Sequence, residues 1–157
     1  MDELGHYIRI HLTGSAGGIE LFSRGQKFRE PAATSILEDI RGELVQERSQ
    51  LLAMADRVGA RPAPLAAVAA AVGERIGRLK PNGNPLRRTS MTDLIDLEAM
   101  RVALSGKTAG WESLLAVVDR HEGLDRDELT ALRDQALRQL EQVSALHTDS
   151  AARALTR

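Results

Sequence analysis

Apolar residues recur along this chain at steps of three and four, with polar residues filling the positions between. That spacing places them on one side of a helix, and no run alternates with the period of two that a strand requires. Four long segments follow the pattern. The first is predicted over 3–27, with Leu4, Ile8, Leu12, Ile19 and Phe22 on its apolar face and Pro31 enforcing a break beyond it. The second is predicted over 36–58, with Ser35 and Glu38 at capping-box spacing and Gly59 just past the last turn. Its seam of Leu37, Ile40, Leu44, Glu47, Leu51, Met54 and Val58 is interrupted only by Glu47. The third is expected to begin after Ser90, with Asp93 completing a second capping box, and to end near His121, before Gly123. Leu94, Leu97, Val102, Leu104, Trp111, Leu115 and Val118 form its stripe, which drifts around the cylinder. The fourth starts at an Asp125 cap and runs towards Leu155, with Leu129, Leu132, Ala136, Leu140 and Val143 setting its face and His147 continuing the series.

Two stretches break this regularity. The segment 59–89 is longer than the usual connection between antiparallel neighbours in a bundle. Pro62 and Pro64 introduce a short alanine-rich helix predicted over 65–79, and Pro81-Asn82-Gly83-Asn84-Pro85 makes a turn. The other stretch is Gly14-Ser15-Ala16-Gly17-Gly18, in the middle of the first helix. In isolation each glycine there weakens a helix by roughly 1 kcal/mol relative to alanine. Small residues also let helix backbones approach, and close helix–helix contact is the expected reason for them, ahead of room for a ligand.

Each helix also carries an ionisable residue within its predicted apolar stripe: His11, Glu47, Glu98 and His147. Burying a charge is costly unless it is paired, neutralised or bound to a metal. One reading is a set of internal salt bridges that fix helix register, with Arg101 three residues from Glu98 and Glu43 and Arg48 flanking Glu47. The other is a metal site, since imidazole and carboxylate suit iron, manganese or zinc and bundle cores hold such sites. Distance from the turns matches His11 in level with Glu47, and Glu98 with His147. If 59–89 only caps one end of the bundle, all four converge. If it travels the bundle's length, the two pairs stand on the order of 15–20 Å apart at 1.5 Å per residue.

Composition narrows the choices. The length of 157 residues fits one domain over 1–157, long enough for a real core. The absence of cysteine excludes disulfides, thiolate metal sites and cysteine nucleophiles. With 21 Lys+Arg against 22 Asp+Glu, no net field draws the chain to nucleic acid, and one Trp, one Tyr and two Phe leave little for stacking on bases. Arg75, Arg78, Lys80, Arg87 and Arg88 make the connector basic, which reads as a solvated face. No stretch approaches the roughly 20 apolar residues of a membrane span, and the start lacks a signal-peptide pattern. The expected location is cytoplasmic. No phosphate loop, nucleophile elbow or zinc-protease motif occurs.

The run from His11 to Leu21, Glu43 with Glu47-Arg48, and Leu97-Glu98 with Gly106-Lys107 and Trp111 together resemble an uncharacterised bacterial family of the ferritin-like four-helix-bundle group. The resemblance spans most of the chain. It implies an all-α, ferritin-like antiparallel four-helix bundle with a long connector, carrying a short extra helix, between helices 2 and 3. It also implies Glu20 and Glu98 as single carboxylates, with Glu43 or Glu47 on the second helix. The chain departs from the di-iron pattern, which needs Glu-x-x-His on two helices: Glu43 is followed by Gln46, Glu47 by Gln50 and Glu141 by Ser144. The function favoured by the sequence is therefore a non-catalytic interaction or structural bundle without cofactor, expected as a homodimer. The alternative is a divergent metal-binding protein using His11, Glu47, Glu98 and His147 for redox or oxygen chemistry.

Overall fold

The computed structural model describes residues 2–60 and 88–156, and among these every regular element is helical. Four long helices carry the fold: α1 (Glu3–Ser23), α2 (Pro31–Arg57), α3 (Ser90–Leu115) and α4 (Arg126–Leu155). The helix and turn predicted over 65–79 and 81–85 lie outside the described residues.

The ends of the helices follow local chemistry. Asp2 accepts from the Gly5 N–H at the start of α1, and the last turn tightens into a 3₁₀ turn, Arg24–Lys27. The predicted start of the second helix is corrected: α2 begins at Pro31, so Ser35 and Glu38 lie inside it and cap nothing. Proline lacks an N–H and has its φ preset, which suits the first helical position. It ends one element and begins the next. The α3 cap is Thr89, in a reciprocal capping box with Thr92, which leaves Asp93 free for other partners. Its C-terminus comes at Leu115, and Val118–Arg120 forms a separate 3₁₀ turn. Asp125 caps α4 as expected, and Gly59 takes the left-handed conformation (φ 71°) after α2.

Named contacts give the helix directions. Arg48 reaches Leu12 while Gly25 packs on Leu37, so α1 and α2 are antiparallel. His11 stands against Gly110 and Arg24 against Asp96, which makes α1 and α3 antiparallel. Arg101 meets His147 and Lys107 meets Gln139, and the same holds for α3 and α4. Arg57 with Glu128 and Glu47 with Gln139 give that relation for α2 and α4. It follows that α2 and α3, on a diagonal of the bundle, run parallel. The chain leaves α2 at one end and enters α3 at the other, a distance of about 40 Å for the 27 residues of α2. The two level-matched pairs therefore do not converge: His11 is level with Gly110, about 18 Å along α3 from Glu98.

The core falls into two parts. Ile8, Leu12, Leu51, Met54, Trp111 and Leu129 belong to one cluster, and Phe22, Leu37, Ile40, Met100, Leu104 and Val143 to the other. Each such side chain contributes on the order of 1.5–3 kcal/mol by leaving water. Polar residues occupy the level between the clusters.

Candidate functional site

Each helix places one polar residue at that middle level, three positions after one apolar core residue and four before the next. Leu44-Glu47-Leu51, Leu104-Lys107-Trp111 and Ala136-Gln139-Val143 share this step, and Leu12-Ser15-Ile19 repeats it on α1. Glu47 is 4% exposed and Gln139 fully buried. The Lys107 ammonium donates to the Glu47 carboxylate and to the Gln139 side-chain carbonyl. The Gln139 amide in turn donates to Glu47 (2.8 Å) and to Glu43 (2.6 Å). Burial lowers the Lys107 pKa, and the neighbouring Glu47 and Glu43 charges oppose that shift. On the α1 side, Arg48 donates to the Leu12 carbonyl and the Ser15 hydroxyl. Among the described residues no carboxylate pairs with Arg48, and burial lowers its pKa.

Alongside this layer, and extending to both sides of it, a cleft of about 650 Å³ opens between α1 and α3, within the size range of small-molecule sites. Expected close contact at the glycine run is corrected here. Gly14 and Gly18 on α1 and Gly106 on α3 line the cleft, and nothing among the described residues lies within 4 Å of where their Cβ atoms would be. At Gly14, Gly18 and Gly106 the missing side chains make room rather than contact. Close approach occurs one turn further on, where a Cβ on Gly110 would fall 2.5 Å from the His11 ring. His11 lines this end of the cleft, tilted against Tyr7, and desolvation lowers its pKa so that the neutral ring is favoured. Trp111 lines it as well, only 4% exposed, with an indole N–H that is buried without an acceptor among the described residues.

Of the four ionisable residues singled out in the sequence, His11, Glu47 and Glu98 line this cleft and His147 does not. Glu47 meets Lys107 and Gln139 rather than His11. Glu98 and His147 do meet, at 3.5 Å, but the burial expected for Glu98 is corrected: its side chain is 57% exposed, on the same outer face as Val102 at 73%. The drift of the α3 stripe carries both out of the core. Arg101 lies against His147 Nδ1 at 3.2 Å, where pairing with Glu98 was expected. With Nδ1 accepting from Arg101, Nε2–H is free to donate to Glu98. Among the described residues no group of three or more His, Asp or Glu is placed to hold a metal ion. The carboxylates implied by the ferritin-like resemblance do not fit a di-iron centre. Glu20 and Glu98 are exposed, and Lys107 already supplies a cation to Glu47.

A second polar cluster, absent from the sequence reading, clamps the start of α3 to the α1–α2 turn. Buried Asp96 accepts from Arg24 (3.0 Å) and Arg88 (2.9 Å), while Asp93 accepts from Arg88 and the Arg29 backbone N–H. The Arg88 guanidinium also lies over the Phe28 ring, 4.4 Å from its centre. Comparison with protein-family models, curated proteins and solved structures gives no match to this chain.

Proposed function

We propose that this chain is a non-catalytic bundle of ferritin-like topology that works by binding, with the α1–α3 cleft as its binding site. The observation that carries the reading is the cleft itself: about 650 Å³, walled by small and apolar side chains, with space above Gly14, Gly18 and Gly106. Ferritin-like topology is supported by two antiparallel helix pairs joined so that α2 and α3 run parallel. A binding role without catalysis fits the polar layer, where the buried Glu47 carboxylate and the Lys107 ammonium are paired with each other. The metal-binding alternative would need donors that the described residues do not bring together.

The test uses Nile red, an uncharged apolar dye, as a reporter. Saturable binding at one site per chain is expected, with loss of that site in Gly18→Leu, whose side chain enters the open space. Circular dichroism must show the variant's helix content unchanged. Absence of saturable binding, or dye binding indifferent to Gly18→Leu, overturns the reading. Stoichiometric iron, manganese or zinc in protein purified without an affinity tag, lost in Glu47→Ala, would replace it with the metal alternative.

A further inference from the structure

We infer that the ligand of this cleft is an aliphatic carboxylate, its chain lying along the small-residue wall and its head group at Arg48. The inference rests on the cleft being the binding site and adds the chemistry of the occupant. Two features of the lining point to it.

The first is an unmatched cation. The nearby Lys107 charge is held by Glu47 and its neighbour Glu43, whereas among the described residues Arg48 has a carbonyl and a hydroxyl as its partners and no carboxylate. Guanidinium presents a planar fork of donors that matches a carboxylate, so a bound carboxylate would supply a partner that no described residue provides. A cationic or purely hydrocarbon ligand leaves Arg48 unmatched. The second is the shape beyond Arg48. From the level of Lys107 to Ile95 the cleft runs roughly 18 Å at 1.5 Å per residue. Gly18, Leu21, Phe22, Ala99 and Ala103 line that stretch, a surface suited to an unbranched alkyl chain. Glu98, the other carboxylate lining the cleft, stands exposed at the outer rim, far along α3 from Arg48.

Isothermal titration of the full chain with decanoate, 1-decanol and decyltrimethylammonium, each below its aggregation concentration, tests the assignment. Decanoate is expected to bind one per chain, at least tenfold more tightly than the other two. Arg48→Gln, which keeps a donor towards Ser15, should abolish the preference and leave decanol binding unchanged. Gly18→Leu should weaken all binding. Equal affinity for decanoate and decanol overturns the carboxylate assignment while the binding cleft stands, as does a preference that survives Arg48→Gln. Failure of all three ligands, or binding unaffected by Gly18→Leu, overturns both.

Discussion

The Lys107 ammonium meets the Glu47 carboxylate where the two halves of the core adjoin, and the Gln139 amide group bonds to both. Opposite charges at this depth compensate each other, but desolvation makes such a pair a weak source of net stability. Its value lies in register: sliding either helix by one turn would leave a buried charge alone.

Removing one partner should therefore cost far more than removing both. Lys107→Met strands the Glu47 carboxylate and is expected to lower the unfolding free energy by about 3–5 kcal/mol. The double variant Lys107→Met/Glu47→Leu should recover much of that loss. Urea unfolding of wild type, single and double variants measures it, and a double variant less stable than the single one would show that the pair itself stabilises the fold.

The glycines should separate by the space around them. Gly14→Ala and Gly18→Ala put a methyl group into open space and restrict the unfolded chain, so each should stabilise by about 0.5–1 kcal/mol. A Cβ on Gly25 would fall 2.7 Å from the Leu37 Cβ, an atom fixed to its backbone. Gly25→Ala should destabilise by about 1–3 kcal/mol through overpacking. Thermal or urea unfolding of the three variants distinguishes the two cases.

Acidification should weaken the fold through His11. Desolvation places its folded pKa below the unfolded value of about 6.5, so the unfolded chain binds the proton more readily. The stability contributed by the neutral ring is complete above pH 6.5 and falls as pH drops through the folded value. For one proton the slope is bounded by about 1.4 kcal/mol per pH unit. His11→Phe should remove this component, and unfolding free energies measured between pH 7.5 and 5 (an interval bracketing the unperturbed histidine value) give the comparison.

Asp96 holds two arginines from opposite sides of the long crossing: Arg24 after α1 and Arg88 before α3. Asp96→Ala leaves both guanidinium groups without this partner and is expected to cost about 3–5 kcal/mol. Because Asp96 is nearly inaccessible, the loss should persist at 1 M salt, where the screening length falls to about 3 Å. A loss that disappears in high salt would place this contact among ordinary surface ion pairs.

Glu47 was recognisable in the sequence because it interrupts an otherwise unbroken apolar seam. Ser15, Lys107 and Gln139 carry the same signal, a polar residue at the three-then-four step between core positions. Lys107 stands out in the sequence only within the Gly106-Lys107 part of the family resemblance, Gln139 does not stand out among the polar residues of its helix, and Ser15 belongs to the glycine run. His11 stands against Gly110, about one turn from the Lys107 level at which Glu47 is held, and Glu98 is level with His147 as expected. Its exposure was not legible, because a drifting stripe has no single buried edge. The glycine run was visible as an anomaly, but contact and cleft call for the same small residues. The choice between them depends on how closely α1 and α3 approach.

The sequence by itself determined four amphipathic helices, the residues that face inwards along most of each, the Asp125 cap and the glycine stop at Gly59. These follow from interactions within a few residues, where spacing and side-chain chemistry suffice. Tertiary structure decided that α2 and α3 run parallel, that Lys107 rather than a histidine faces Glu47, and that α1 and α3 stand apart alongside the polar layer. Those outcomes join residues 60 or more positions apart, as in the Lys107–Glu47 bond. They are set by helix direction, rotation and separation, which no local pattern encodes.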